Sequence, residues 1–150
     1  MRRYVAALAL SALSALACAK KEQPAADSAA MAPAPAAMTD ADFSGTWTGM
    51  AKLAGTDSVI AHWTQVCGGG TCLGTSVEAP DTVKSTYAIE ADSSHGVTSP
   101  YVDKAMGGAR VVDHWIARVS GGTVQGHGWF VLADKPDSVV ARYTFEGTRK

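Results

Sequence analysis

The chain of 150 residues lacks an excess of either charge, with 13 Lys and Arg against 14 Asp and Glu. Nucleic-acid-binding proteins need a concentrated positive surface, so nucleic acid is excluded as an expected partner. The sequence also lacks a G-x-S-x-G motif, a P-loop, H-E-x-x-H and a dinucleotide-binding fingerprint. We therefore expect a protein that is not an enzyme and that uses no cofactor.

No hydrophobic run is long enough to span a bilayer, which takes about 20 apolar residues. The longest run, Tyr4–Ala17, has 14 uncharged residues, mainly Ala and Leu, and follows Arg2 and Arg3. A short apolar run behind a basic start is typical of a cleaved signal peptide. Residues 1–17 are therefore predicted to be removed on export. Without Arg2 and Arg3 the chain keeps 11 basic residues (13 − 2) against 14 acidic ones.

Cysteine is scarce, and the first of the three cysteines, Cys18, directly follows the apolar run in the letters ALAC. These letters resemble the lipobox of bacterial lipoproteins, in which a signal peptidase cuts before a cysteine that then carries lipid. That family favours Leu three places before the cysteine, where this chain has Ala15. The resemblance implies lipidation of Cys18 and a membrane contact through that lipid. Ala19, in place of Asp, implies an outer-membrane location facing the periplasm. The alternative is an ordinary cut after Ala17 that leaves Cys18 free.

Residues 18–42 are rich in Ala and Pro and have no apolar stripe that a partner could cover. Pro24, Pro33 and Pro35 interrupt any helix that the alanines would favour. We expect a disordered tether here, followed by one domain over residues 43–150, a length that suits a single core.

Helical periodicity is absent from residues 43–150, and alternation of apolar and polar residues is strong, so the domain is predicted to be all-β. Short connections between strands favour an antiparallel meander. A meander of seven or eight strands loses its exposed edges most simply by closing into a small up-and-down barrel, and a β-sandwich is the alternative. The predicted strands are 45–53, 58–66, 72–77, 82–92, 110–119, 123–132 and 138–147, with an eighth over 97–102.

Two turns define the pairing of the last three strands. A two-residue turn at Gly121-Gly122 and a four-residue loop at 134–137 put the same residues of the middle strand on one apolar face. Asp113, opposite Phe130, is the one polar residue on that face. The expected partners are Val119–Val124, Ala117–Gly126–Phe145, Trp115–Gly128–Tyr143, Phe130–Ala141 and Val111–Leu132–Val139, and in the first hairpin Leu53–Val59, Ala51–Ala61 and Gly49–Trp63.

The first strand opens with Gly45-Thr46-Trp47, which resembles the G-x-W start of calycin barrels such as lipocalins and avidins. The resemblance implies a calycin-like barrel and carries over no binding residue. The longest connection, 93–109, is expected to cover one end of the barrel, and an ordinary surface loop with an extra strand is the alternative. A small apolar ligand is predicted beneath it, in contact with Trp47, Trp63 or Tyr101.

Cys67 and Cys72 flank three glycines in the letters CGGGTC. In an exported protein this arrangement predicts a structural disulfide, because the glycines let the backbone bend enough to join the sulfurs. Redox chemistry or metal binding is the rival interpretation, although the spacing differs from the C-x-x-C of thiol oxidoreductases.

The opposite face of the last three strands carries a second candidate site. Trp129 and Arg142, with Arg118 nearby, resemble an interface hot spot, so a protein-interaction module is the alternative function; Arg142 stacked on Trp129 in an ordinary cation–π pair is the simpler interpretation. His114 and His127 lie diagonally on the same face and define a third hypothesis, a metal site. That site needs further ligands, for which His62 and Asp113 are the candidates.

Overall fold

The computed structural model describes residues 37–150, so the predicted signal peptide, Cys18 and most of the predicted tether lie outside the described residues. No helix in this part of the chain is long and apolar enough to cross a membrane. The elements are α1 (Asp40–Phe43), β1 (Gly45–Leu53), β2 (Val59–Gly68), β3 (Thr71–Ser76), β4 (Val83–Glu90), β5 (Ser93–Thr98), β6 (Tyr101–Asp103), β7 (Ala109–Ser120), β8 (Thr123–Leu132) and β9 (Lys135–Arg149).

The strands form a closed antiparallel barrel, which confirms the all-β, up-and-down prediction over the β-sandwich. Neighbours in sequence pair with each other from β1 to β5, and β7 pairs with β8 and β8 with β9. The sheet closes because β9 pairs with β1 and β5 pairs with β7. Since β5 and β6 lie one after the other along β7, they act as one interrupted strand of an eight-stranded barrel.

The segment 93–109 is not one long connection, because β5 and β6 occupy much of it, and the eighth strand predicted over 97–102 overlaps both of them. Ser93–Gly96 shows no apolar alternation, since its inward positions hold small residues on which larger rings from neighbouring strands pack. The interruption falls at Ser99-Pro100, where proline cannot donate a hydrogen bond to the sheet. There the backbone N–H of Asp113 donates to Thr98 Oγ1 at 2.9 Å. Asp113 therefore lies beside a gap in the barrel wall.

The predicted register of the last three strands is confirmed through most of its length, including Trp115–Gly128–Tyr143 and Ala117–Gly126–Phe145. Two pairs at the ends of hairpins are wrong. Val139 pairs with Val131 instead of Leu132, since a two-residue turn and an irregularity in β9 replace the expected loop. Val59 pairs with Lys52 instead of Leu53, because a bulge near Ala51 shifts the register.

Large rings from one strand lie against glycines of the next. A Cβ atom added to Gly96 would meet the Trp115 ring at 2.0 Å, and one added to Gly128 would meet Tyr143 Cζ at 2.3 Å. Trp63 covers its register partner Gly49 in the same way, whereas Trp115 covers Gly96 of β5 and leaves its register partner Gly128 to Tyr143. The rings therefore lie close to the backbone of the wall.

The helix α1 closes one end of the barrel. Phe43 is 2% exposed and packs between Trp115, at 5.6 Å between ring centroids, and Tyr87, at 4.9 Å. The indole N–H of Trp47 donates to the Phe43 carbonyl at 2.7 Å, and the Arg149 guanidinium lies 4.6 Å above the Trp47 ring.

Residues before Phe43 also belong to the folded unit, which begins earlier than the predicted boundary at 43. Met38 is buried, and its backbone N–H donates to the Ala91 carbonyl at 2.9 Å. Thr39 caps α1 through a capping box with Asp42. The predicted tether, residues 18–42, thus includes five residues (38–42) that the structure places against the barrel.

Cys67 and Cys72 form the predicted disulfide across the β2–β3 hairpin, with their Cα atoms 4.1 Å apart. The turn uses Gly69 and Gly70 with φ of 58° and 76°. Two successive positive φ angles define the tight hairpin turn that glycine favours.

Candidate ligand-binding cavity

The barrel is hollow from Phe43 of α1 to the opposite end. A cavity of about 310 Å³ extends between the strands towards the β3–β4 and β6–β7 connections. Its wall is mainly apolar and aromatic, with Trp63, Trp115, Phe130, Tyr143 and Phe145 among its side chains. Four of these rings lie against glycines of adjacent strands, so they stay close to the wall and leave space along the axis; the pairs are Trp63 on Gly49, Trp115 on Gly96, Tyr143 on Gly128 and Phe145 on Gly126.

The structure places Trp47, Trp63 and Tyr101, the predicted ligand contacts, around this one cavity. Trp47 is 1% exposed and belongs to the closed end, where it packs with Phe43. Trp63 forms part of the middle of the wall. Tyr101 of β6 and Met106 of the following turn stand at the open end, packed against the cluster around Tyr143.

Asp113 is the one acidic side chain that projects from the interior face of a strand in the middle of this wall. The Tyr143 hydroxyl donates to both of its carboxyl oxygens, each at 2.9 Å. Asp113 pairs with Phe130 of β8, as predicted for the one polar residue on the apolar face. Tyr143 itself is 7% exposed, whereas Asp113 keeps part of its surface accessible, and both line the cavity.

The surroundings change the acidity of this pair. Burial raises the pKa of Asp113 to about 8, the hydrogen bond from Tyr143 opposes the rise, and the charge of Asp103 adds to it. Burial, with the charge of Asp113, raises the pKa of Tyr143 and of Tyr101 well above the ordinary value. Both tyrosines therefore remain neutral donors.

Three more acidic residues, Glu78, Asp81 and Asp103, stand at the mouth of the cavity. Glu78 accepts from the His62 ring at 2.8 Å, and this hydrogen bond lowers its pKa. Asp81 pairs with Lys104 at 3.3 Å. Asp103 accepts from the backbone N–H groups of Ala105 and Met106, which shapes the turn after β6.

Three buried polar atoms, Trp63 Nε1, Trp115 Nε1 and Ser94 Oγ, have no hydrogen-bond partner within residues 37–150. A buried donor without an acceptor costs about 1–3 kcal/mol. These atoms are covered by protein, so a molecule in the cavity would reach them only after the rings move.

The outer-face candidates are arranged differently from the prediction. His114 stacks on Trp129, with 5.3 Å between ring centroids and 4° between planes, and His127 packs on the same ring at 6.4 Å. The expected cation–π pair between Arg142 and Trp129 is wrong, since the His114 ring occupies the face of Trp129. The cation–π contact found in residues 37–150 is Arg149 over Trp47.

The structure also bears on the predicted roles of Arg118 and of a metal site at the two histidines. Arg118 pairs with Asp92 at 3.2 Å instead of joining Trp129. Across the described residues, no group of three or more His, Cys, Asp and Glu side chains is close enough to hold a metal ion. His114 and His127 therefore meet at Trp129 and gain no further ligand from His62 or Asp113.

Sequence reasoning missed the acids at the mouth and the α1 plug. Glu78 and Asp81 lie in a connection, where charged residues are ordinary, and only closure of the barrel brings them beside Asp103. Comparison of the chain with protein-family models, curated proteins and solved structures found no match.

Proposed function

We propose that the protein binds a small, largely apolar molecule inside the barrel. The observation that carries this proposal is the cavity of about 310 Å³, walled by aromatic rings and open at the end opposite α1. Ligand pockets typically measure about 300–1,000 Å³, so this cavity suits a small molecule better than a long lipid chain. An eight-stranded barrel is just wide enough to hold one such ligand when side chains do not fill it.

Thermal unfolding with a panel of small apolar molecules of graded size tests the proposal. A ligand at ten times its Kd stabilises the folded state by about 1.4 kcal/mol. For a domain of this size, that gain raises Tm by several degrees. We expect a subset of the panel, limited by size, to produce such a shift.

A variant that fills the cavity makes the test specific. Ala61 lines the cavity, so Ala61→Phe should abolish the ligand-induced shift. Ala88 is exposed on β4, and Ala88→Phe is the matched control that should respond like the wild type. A flat response across the panel, or equal shifts in both variants, would contradict binding inside the barrel.

A protein-interaction surface at Trp129 is the second candidate function. The contact of the half-buried Trp129 ring with His114 and with the exposed His127 supports it, because aromatic residues dominate binding energy at many interfaces. Pull-down from envelope extracts should recover a partner with the wild type and lose it with Trp129→Ala. Recovery of identical proteins by both would exclude this face.

For the cellular location, we propose from the sequence that Cys18 carries lipid and anchors the protein in the cell envelope. The Cys67–Cys72 disulfide supports export, since such bonds persist in oxidising compartments. Metabolic labelling with a fatty acid should mark the wild type and leave Cys18→Ser unlabelled. An unlabelled, fully cleaved wild type would instead indicate an ordinary signal peptide.

A further inference from the structure

We infer that the ligand of the cavity is an organic ammonium ion, with an apolar part among the aromatic rings and its positive charge beside Asp113. This inference rests on the proposed function, because it names the chemical class of ligand for the same cavity.

The charges of the cavity all have one sign. Four acidic side chains line it, and no Lys, Arg or His from residues 37–150 does. Pockets that bind fatty acids or phosphates commonly place an Arg or Lys at the charged end. This wall instead repels anions. The acidic residues are Glu78, Asp81, Asp103 and Asp113.

Asp113 differs from Glu78 and Asp81 at the mouth because its partner is neutral, and from Asp103 because it accepts from a side chain inside the cavity instead of from the backbone of a turn. Glu78 is paired with His62, and Asp81 with Lys104, both outside the cavity wall. Asp113 accepts only from the Tyr143 hydroxyl and from no charged group of the described chain. A carboxylate in an apolar setting is costly unless it is paired, so a cation from the ligand would supply the missing charge.

The aromatic rings around Asp113 favour the same class of ligand. Tyr143 packs against Phe130, with 5.1 Å between ring centroids, and against Phe145, at 6.0 Å. Ammonium groups are attracted to the faces of aromatic rings, and quaternary ammonium ions are bound in cages of such rings. A ring cluster beside a single carboxylate combines both sources of attraction.

Binding of a cation should depend on the ionisation of Asp113. The titratable groups that face it are Tyr143 of β9 and, on β6, Tyr101 and Asp103, and none of them contributes a positive charge. Because the empty site retains a proton well above the ordinary range of an Asp, a cation must displace that proton. Affinity for a permanently charged ligand should therefore rise with pH, by up to tenfold per unit for one proton.

Isothermal titration calorimetry with three probes of equal chain length tests the ligand class. These probes are octyltrimethylammonium, 1-octanol and octanoate, each used below its micelle-forming concentration. At pH 8.5 we expect octyltrimethylammonium to bind about tenfold or more tighter than 1-octanol, and octanoate to bind most weakly. The affinity of the ammonium probe should fall as the pH is lowered to 6.

Variants locate the interaction. Asp113→Asn should reduce the affinity for octyltrimethylammonium to that for 1-octanol and remove its pH dependence. Asp137→Asn removes the same charge from an exposed position outside the cavity wall and should leave both unchanged. The pH dependence of the wild type is an independent readout if Asp113→Asn fails to fold.

The outcomes separate this inference from the proposed function. Equal affinity of 1-octanol and octyltrimethylammonium, with binding lost in Ala61→Phe, would overturn the ligand class and leave the ligand-binding barrel in place. Tightest binding of octanoate, or an affinity for the ammonium probe that does not vary with pH, would also overturn it. Failure of all three probes, together with a flat thermal panel, would overturn the proposed function itself.

Discussion

The protonation of the Asp113 carboxyl should affect the stability of the protein even when no ligand is bound. The folded state holds a proton on this carboxyl up to a pH near 8, whereas the unfolded chain releases it near the ordinary value of 3.8. The folded state therefore binds more protons between these two values, and its stability should decline as the pH rises through that window.

For Asp113, we expect the free energy of unfolding to fall between pH 5 and pH 8, by no more than about 1.4 kcal/mol per pH unit. Asp113→Asn keeps an acceptor for the Tyr143 hydroxyl but cannot ionise, so its stability should decline less. Urea unfolding of both proteins across this range measures the difference. Parallel curves would show that Asp113 ionises in the folded state as it does in the unfolded chain.

Gly96 is predicted to tolerate no side chain, because Trp115 lies where a Cβ atom would stand. Gly96→Ala forces the ring or the strand to move, which typically costs about 1–3 kcal/mol. Gly68 is the matched control: the nearest atom to its added Cβ is Ser44 Oγ at 3.6 Å. Gly68→Ala should change the stability by less than about 0.5 kcal/mol. Equal losses in both variants would mean that Trp115 does not rest on Gly96.

At the scale of elements, the β2–β3 hairpin is held by its disulfide and by its glycine turn. The closed loop is short, with a sequence separation of 5, so the chain-entropy estimate of the stabilisation is only roughly 2 kcal/mol. Reduction should lower the unfolding free energy by about that amount and leave the β-sheet circular dichroism unchanged. A Cys67→Ala/Cys72→Ala protein should be insensitive to reductant. Loss of the β signal on reduction would show that the barrel depends on this bond.

Sequence patterns predict the strands best where glycine turns and alternation agree. The hairpin at Gly121-Gly122 has both, and its register is correct along its whole length. The strand predicted over 97–102 overlaps the end of β5 and the start of β6, but its beginning at Ser93 was not predicted, because the inward positions of β5 are small and their large neighbours come from β4 and β7. Bulges such as the one near Ala51 leave no mark on the alternation of neighbouring residues.

The candidate site was predictable only in part. Trp47, Trp63 and Tyr101 could be chosen from their apolar character, and Asp113 stood out as a charge on an apolar face. The mouth acids and the Phe43 plug could not be chosen, since their roles arise only when distant segments meet at the two ends of the closed barrel.

At the scale of the whole molecule, the barrel has one plugged end and one open, acidic end. The helix α1 and the ring cluster around Phe43 close the first end, and the cavity runs from Phe43 to the second. A ligand therefore has one direction of entry, between the β3–β4 and β6–β7 connections. Its charged group would pass Glu78, Asp81 and Asp103 before it reaches Asp113.

The four tryptophans report directly on where a ligand binds, because Trp47, Trp63 and Trp115 line the cavity and Trp129 lies on the outer face. The decisive measurement is an NMR titration of the four indole N–H resonances of a ¹⁵N-labelled protein with octyltrimethylammonium. We expect the Trp63 and Trp115 signals to shift with saturation and the Trp129 signal to stay in place. Shifts confined to Trp129, or none at any tryptophan, would contradict binding inside the barrel.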